Sequence, residues 1–364
     1  MKAKLRVIHR WISLCVATLW VVQALSGAYL VFHRSIDDMT LAASGRPQDA
    51  AAIGRAIASL ERQPPGGQVL QYFRSGGVEG QVDLLVDRPD GRRQVVRIDG
   101  ATGEVLRQSA WERPLSQVAI SRQVFLLHKQ LLAGAVGDWF VGLSGVLLAT
   151  NLLIALRLAW PARGRWRSTL VPQRSKSPAM TALAWHRAVG LWLAPMGLLA
   201  ALTGALIVWS PQLERAVGAT LPPPPGCAAP PASGGRVAPA IAEQAARRIY
   251  PDGMVAVVTL PRDGSCYAVR LKRPGEWRRV YGTTIVYVDA ASGLALKGRD
   301  ALAAPTPVRM VMGLYPLHAG EWGGVATRVL ALVVGIWLCA TIVLGVTLWL
   351  KRRSGGKPAP RSAR

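Results

Sequence analysis

Histidine is scarce in this 364-residue chain, and its placement is uneven. There are five, His9, His33, His128, His186 and His318, each near the end of a long apolar stretch. Imidazole is a common ligand of haem iron, and an ionisable group at membrane depth is costly unless it serves a function. His9 and His186 are each followed by arginine and lie 177 residues apart; His128 and His318 each follow leucine and lie 190 apart. If a twofold axis relates two halves of the chain, each pair points at a shared site. Two imidazoles facing one another are the ligand set of a six-coordinate haem. The spacing therefore predicts two b-type haems with bis-histidine ligation, His9 with His186 and His128 with His318.

Other chemistries compete for the same residues. Zinc takes four ligands, usually with Cys or carboxylate help. No Cys or acid repeats beside either pair, although Asp138 and Glu321 fall within ten residues of the outer one. Covalent haem attachment is excluded, because no C-x-x-C-H run is present. The plainer alternative is that the histidines anchor helix ends at the membrane interface. Arg10 and Arg187 suit bidentate pairing with haem propionates, or else belong to a cytoplasmic set of basic residues. Gly27 and Gly204 offer room for a flat macrocycle, or simply serve helix packing. His33 breaks the symmetry, since its repeat partner is Ser210. It follows His9 by 24 residues, about 36 Å along a helix, which places it with the outer pair. It is a polar interfacial residue, an alternative ligand, a propionate partner or part of a substrate site.

The elements that position these residues are spans. Stretches 11–32, 139–156, 188–213 and 329–350 are apolar and free of Asp, Glu, Lys and Arg. Each is long enough to cross a hydrocarbon core of about 30 Å as a helix. The first is too long for the core of a signal peptide, typically about 7–15 residues, and is expected to be retained. Hydrophobic residues make up 51% of the chain and charged ones 18%, with mean hydropathy +0.24. That composition excludes a disordered basic tail. The net charge of +24 invites a nucleic-acid reading, but its distribution speaks against one. Seventeen basic residues and no acids occupy 1–10, 157–187 and 351–364. By the positive-inside rule those three segments face the cytoplasm. Both termini are then cytoplasmic, and the long connections, about 34–127 and 214–317, lie in the periplasm of a bacterial inner membrane. No nucleic-acid partner is expected; the lipid bilayer is.

The repeat extends beyond the histidines. Ser26-Gly27 recurs as Thr203-Gly204, and 96–103 (VRIDGATG) resembles 286–293 (VYVDAASG). The 13 extra residues of the second offset fit an insertion in the Pro/Gly stretch 221–239. Each outside segment reads as a helix, 50–62 or 238–249, followed by three strands: 69–74, 81–87 and 92–99, then 254–261, 266–272 and 279–289. Asp99–Gly103 and Asp289–Gly293 read as tight turns in which Gly supplies a positive φ. Cys227 and Cys266 are both outside, where a disulfide is expected; Cys15 and Cys339 read as small apolar residues within spans. Phosphate loops, nucleophile elbows and nicotinamide or flavin fingerprints are missing from the sequence.

These residues together resemble the PepSY-associated transmembrane helix family. The resemblance rests on His-Arg opening a span that carries Ser/Thr-Gly, a segment ending in Val-x-x-Asp-x-x-Thr/Ser-Gly or close to it, and Leu-His before a second span. It occurs twice and covers nearly the whole chain. It implies a mainly α membrane protein: a four-transmembrane-helix bundle made by tandem duplication, with two small α+β PepSY-like periplasmic domains. The expected boundaries are helix 1 at 1–33, domain 1 at 34–127, helix 2 at 128–160, a basic loop at 161–183, helix 3 at 184–213, domain 2 at 214–317, helix 4 at 318–350 and a basic tail at 351–364. The family includes inner-membrane ferric-siderophore reductases that bind haem, and His9, His186, His128 and His318 fall at its span-end histidines. The implied activity is haem-dependent reduction of a ferric siderophore or other periplasmic ferric chelate, for iron uptake. The electron donor is then a quinol or a partner protein. Two other functions compete. A non-enzymatic adaptor would bind a periplasmic peptide or protease through its PepSY-like domains. A transporter would share the duplication, but the spans show no mid-membrane charge and no evident break.

Overall fold

The computed structural model describes residues 1–354 except 65, 78, 221–234, 263–265 and 279. The chain forms two compact units from interleaved stretches. Residues 1–31, 127–209 and 328 onward make a helical unit; residues 32–126 and 210–327 make a sheet unit.

In the helical unit, α1 (Lys2–Leu30), α5 (Gly134–Ala159) and α12 (Gly324–Ser354) are long and apolar enough to cross a membrane. The expected third span is broken. After the short α6 (Trp166–Leu170), α7 (Pro178–Trp192) and α8 (Ala194–Val208) meet at a bend of 61°. Pro195 stands in the first turn of α8. Proline is tolerated there, but within a continuous helix it removes a hydrogen bond and clashes with the preceding turn. By length the chain has three spans, or four if the bent pair counts as one. The expectation of four unbroken spans is corrected accordingly.

The duplication is visible in how these helices pack. Gly145 on α5 lies against α8, where an added Cβ would stand 3.2 Å from Ala205 Cβ and 3.3 Å from Ala201 O. Gly335 on α12 lies against α1 in the same way, 3.1 Å from Ala28 Cβ and 3.0 Å from Ala24 O. Gly335 follows Gly145 by 190 residues, and Ala201 and Ala205 follow Ala24 and Ala28 by 177. Both sequence offsets thus recur in one packing motif, in which small residues let helix backbones approach.

His128 and His318 do not sit on the long helices. His128 is on α4 (Ile120–Gln130), separated from α5 by residues 131–133. Leu131 and Leu132 there take φ of 52° and 59°, a region that residues other than glycine seldom adopt. His318 is on α11 (Thr306–Ala319), which Gly320 ends in the left-handed region at φ 70°.

The sheet unit holds α2 (His33–Met39), α3 (Ala50–Arg62), α9 (Ser210–Ala216), α10 (Pro239–Ile249) and eight strands. β1 (Gln68–Arg74), β2 (Gln81–Asp87), β3 (Arg93–Asp99) and β4 (Val105–Ala110) come from the first half. β5 (Met254–Thr259), β6 (Cys266–Lys272), β7 (Thr284–Asp289) and β8 (Ala295–Arg299) come from the second. They form one antiparallel sheet, β4-β3-β2-β1-β5-β6-β7-β8, joined at its centre by Tyr72 opposite Val258. The two long connections between the apolar stretches therefore share a sheet and a core. Ile53, Ile57 and Leu60 of α3 and Ala242 and Ala246 of α10 pack on one face, over Leu84, Val96, Val258, Val269 and Val288. Asp49 caps α3, accepting from Ala51 N at 2.9 Å and Ala52 N at 3.2 Å. The expected turns are present: Gly103 and Gly293 take φ of 83° and 72° and donate back to the carbonyls of Asp99 and Asp289. The expected Cys227–Cys266 bridge and most of the Pro/Gly stretch involve residues outside those described.

Candidate functional site

The helical unit brings two of the expected ligands together. His9 on α1 and His186 on α7 have ring centroids 6.3 Å apart and ring planes tilted by 45°. Two imidazoles on opposite sides of one metal ion, at about 2.0–2.1 Å per bond, place their centroids about 6–6.5 Å apart. The pair thus has the separation of two ligands facing one another across a metal ion.

Their hydrogen bonds select the tautomer a metal needs. His9 Nδ1 lies 2.9 Å from Asn151 Oδ1, and Asn151 Nδ2 donates to Ser13 Oγ at 2.9 Å, which sets the amide's orientation. A carbonyl oxygen only accepts, so Nδ1 carries the hydrogen and Nε2 keeps its lone pair. His186 Nδ1 lies 3.1 Å from the backbone carbonyl of Thr341, with the same consequence. Thr341 follows Asn151 by 190 residues, and both are buried. A second hydrogen bond that fixes ring orientation and tautomer is the usual support of a metal-ligating histidine. Gly345 on α12 completes the seat: a Cβ there would stand 3.1 Å from His186 Cε1.

His128 is held by the same logic. Ser26 Oγ donates to Val22 O at 2.6 Å and lies 3.0 Å from His128 Nδ1. With its own hydrogen committed, the hydroxyl accepts from Nδ1 and Nε2 again keeps a lone pair. The ring lies on Gly27, where a Cβ would stand 2.9 Å from Cε1. Gly27, expected to make room for a macrocycle or a helix, makes room for a histidine. Thr203 repeats the hydroxyl arrangement, donating to Leu199 O at 2.7 Å.

The remaining expected residues are more dispersed. His318 belongs to the sheet unit, two residues beyond Pro316 on α11, whereas His128 belongs to the helical unit. His33 is the first residue of α2, also in the sheet unit. Arg187 Nε donates to Ala159 O at 2.9 Å, which ties it to the end of α5. Arg10 is exposed, its guanidinium 5.6 Å from the Trp11 ring centroid. Among the described residues, no three His, Cys, Asp or Glu side chains cluster as a metal-ion site.

Sequence reasoning missed a buried charge network in the sheet unit. Arg97 on β3 is paired with Asp83 on β2 by two 2.8 Å hydrogen bonds, and its third nitrogen contacts Asp38 and, at 3.0 Å, Asp37. Arg107 holds Asp37 from the other side at 2.8 and 3.0 Å. Burial alone would raise the Asp37 pKa; hydrogen bonds from Arg107 and the charge of Arg97 outweigh it and hold Asp37 below its ordinary value. The available signal was alternation: Asp83 and Arg97 lie opposite one another on the face away from Leu84 and Val96. On the helix side, a cavity of about 310 Å³ opens between α3 and α10, lined by Gln48, Arg74, Gln244 and Arg247 among others. At its wall Tyr72 donates to Glu243 at 2.7 Å. Burial holds the Glu243 pKa above the usual carboxylate range.

The PepSY-associated TM region family matches residues 6–352. An uncharacterized Pseudomonas aeruginosa protein, PA4219, is 28% identical over 265 residues, a stretch covering 64% of this chain and 64% of that protein. The chain thus spans about 64% of the length of this curated relative. A family match from Arg6 to Arg352, within the last turn of α12, over a chain whose helices and sheet are both duplicated, has one consequence: the chain belongs to the PepSY-associated TM region family.

Proposed function

We propose that this protein is a bacterial inner-membrane oxidoreductase that binds two b-type haems and passes electrons to a periplasmic ferric chelate, such as a ferric siderophore. In this reading the helical unit is a four-helix bundle with both termini cytoplasmic, and the sheet unit is a pair of PepSY-like periplasmic domains. The observation that carries it is the His9–His186 pair: 6.3 Å between ring centroids, with both Nδ1 atoms bound to buried carbonyl oxygens. His9 and His186 hold the inner haem; the assignment of His128 and His318 to the outer one rests on their spacing in the sequence alone. Arg10 and Arg187 lie next to the inner ligands in sequence, as propionate partners would.

Bound haem supplies one-electron chemistry between ferric and ferrous iron. The chain's residues supply the rest. Asn151 and the Thr341 carbonyl keep the Nδ1 protons on the ligands, and Ser26 does so for His128. A quinol donor gives two electrons and two protons, enough to reduce two ferric chelates to their ferrous forms. The test is a reduced-minus-oxidised spectrum of protein purified after expression with haem supplied. A b-type α band is expected; its absence contradicts the proposal. Gly345→Ala is expected to push the His186 ring by a few tenths of an ångström and lower the haem-to-protein ratio. A pyridine haemochrome assay checks this, and an unchanged ratio speaks against the assigned seat.

A second reading, an adaptor that binds a periplasmic peptide, is favoured by the cavity between α3 and α10. It predicts that His9→Ala and His128→Ala leave both colour and function unchanged.

A further inference from the structure

Three arginines converge on the face of the second half-sheet away from α10, where Ile285 between them is buried. Tyr267, Val269 and Leu271 of β6 face the helix-covered core, so Arg270, between them, points to the other face. Arg270 is opposite Ile285 on β7, and Ile285 is opposite Arg299 on β8. The two arginines therefore stand on one face, two strand spacings or roughly 10 Å apart at the backbone, within reach of one ligand between their side chains. Arg278 reaches the same place from the β6–β7 connection. Its guanidinium lies 4.7 Å from the Tyr315 ring centroid and 5.6 Å from that of Tyr281. Burial, and then the charges of Arg278 and Arg299, pull the Arg270 pKa down to about 10.

This positive charge is weakly compensated. The Nε atoms of Arg278 and Arg299 are buried with no hydrogen-bond partner. Among the described residues, none of the three arginines forms an ion pair. Glu276, in the β6–β7 connection, has both oxygens committed: Oε2 accepts from Thr283 and Oε1 from Thr284. The charges of Glu214 and, more weakly, Glu276 bear on Arg299 without an ion pair. Arg34 adds to the field: its guanidinium lies 4.5 Å from the Tyr281 ring centroid, and its Nη1 donates to Ser75 O at 3.0 Å. Arg299 Nη1 donates to the Ala219 carbonyl at 3.2 Å, which supplies no counter-charge; like charges held together without counter-ions are unfavourable, and unpaired buried donors call for acceptors. Guanidinium groups match oxyanions with paired hydrogen bonds.

We propose that Arg270, Arg278 and Arg299 form an anion site for the carboxylate groups of a soluble polyanionic ligand. On the reductase reading above, and resting on it, that ligand is the ferric chelate, which selects anionic carboxylate chelates over neutral ones. The site itself requires no electron transfer.

The test is calorimetric titration of iron-free citrate into full-length oxidised protein in a neutral detergent, without an electron donor. Saturable binding is expected. Arg270→Gln and Arg299→Gln should each weaken it by about tenfold or more. Arg55→Gln, which removes the same charge from an exposed side chain on α3, should leave it unchanged. Arg270→Lys should retain part of the affinity. Removing one of several repelling charges should not unfold the unit, and an unchanged thermal melt checks this. No citrate binding to the wild type, or equal binding by Arg270→Gln, overturns the proposal. So does phosphatidylglycerol in the micelle displacing citrate, which would assign the site to a lipid headgroup. Citrate binding by a protein without haem would sink the reductase reading and leave the anion site standing.

Discussion

Alanine at His9 or at His186 is expected to remove one of about two haem equivalents per chain and leave the other. The two substitutions should behave alike, because the residues are two ends of one ligand set. Their centroids are 6.3 Å apart, and each Nδ1 is pinned by a buried carbonyl oxygen, of Asn151 or of Thr341. Losing either imidazole leaves a five-coordinate site at best. Asn151→Leu should weaken the same haem without abolishing it, by about 10–100-fold in affinity, the usual effect of losing a hydrogen-bond partner behind a ligand. It removes the acceptor that keeps the proton on Nδ1. His33→Ala should leave the inner haem untouched, since His33 belongs to the sheet unit. Haem-to-protein ratios of the four variants check the set. A full complement of haem in His9→Ala would refute the shared-ligand assignment.

The largest expected effect on stability is at Arg97. Arg97, Asp38 and Asp83 are almost wholly buried, and the guanidinium is the counter-charge for both acids and for Asp37. Arg97→Leu leaves those carboxylates without it. Breaking a buried pair from one side costs about 3–5 kcal/mol, a large share of the typical 5–15 kcal/mol stability of a native domain. Thermal unfolding followed by circular dichroism should show the loss. A melt within a degree or so of wild type would mean the network contributes little. The effect has a pH signature. Because the Asp37 pKa is depressed in the folded state, its contribution is present above the unfolded value of about 3.9 and is lost as pH falls through the folded value. The wild-type sheet unit should therefore lose stability below about pH 4, and Asp37→Asn should flatten that dependence.

Much of this architecture was legible in residue order. Helix α3 and strands β2 and β6 lie where the sequence predicts a helical stretch and two strands, and the Asp-x-x-x-Gly turns adopt the expected positive φ. The histidine spacing anticipated the His9–His186 pair and linked it to a duplication that recurs at Gly145 and Gly335. Other features depend on information no local pattern carries. Strands β4 and β8 lie at the sheet's edges, and neither shows a clean alternation. The joining of both halves into one sheet rests on β1 meeting β5, a pairing set by tertiary packing. Pro195 did mark the break in the third span, but the surrounding apolar run hid it. Asn151 was also visible, as a lone amide inside an apolar span. Its meaning emerged only when α5 was placed beside His9. The arginines at 270, 278 and 299 read as scattered surface charge until strand register aligned two of them.

The central claim is that His9 and His186 share one iron. Electron paramagnetic resonance of the oxidised, haem-loaded protein tests it most directly. The account predicts low-spin ferric signals of bis-imidazole haem, one of which turns high-spin or disappears in His9→Ala and in His186→Ala alike. A wild-type protein that binds no haem, or low-spin signals that survive both substitutions, would contradict it.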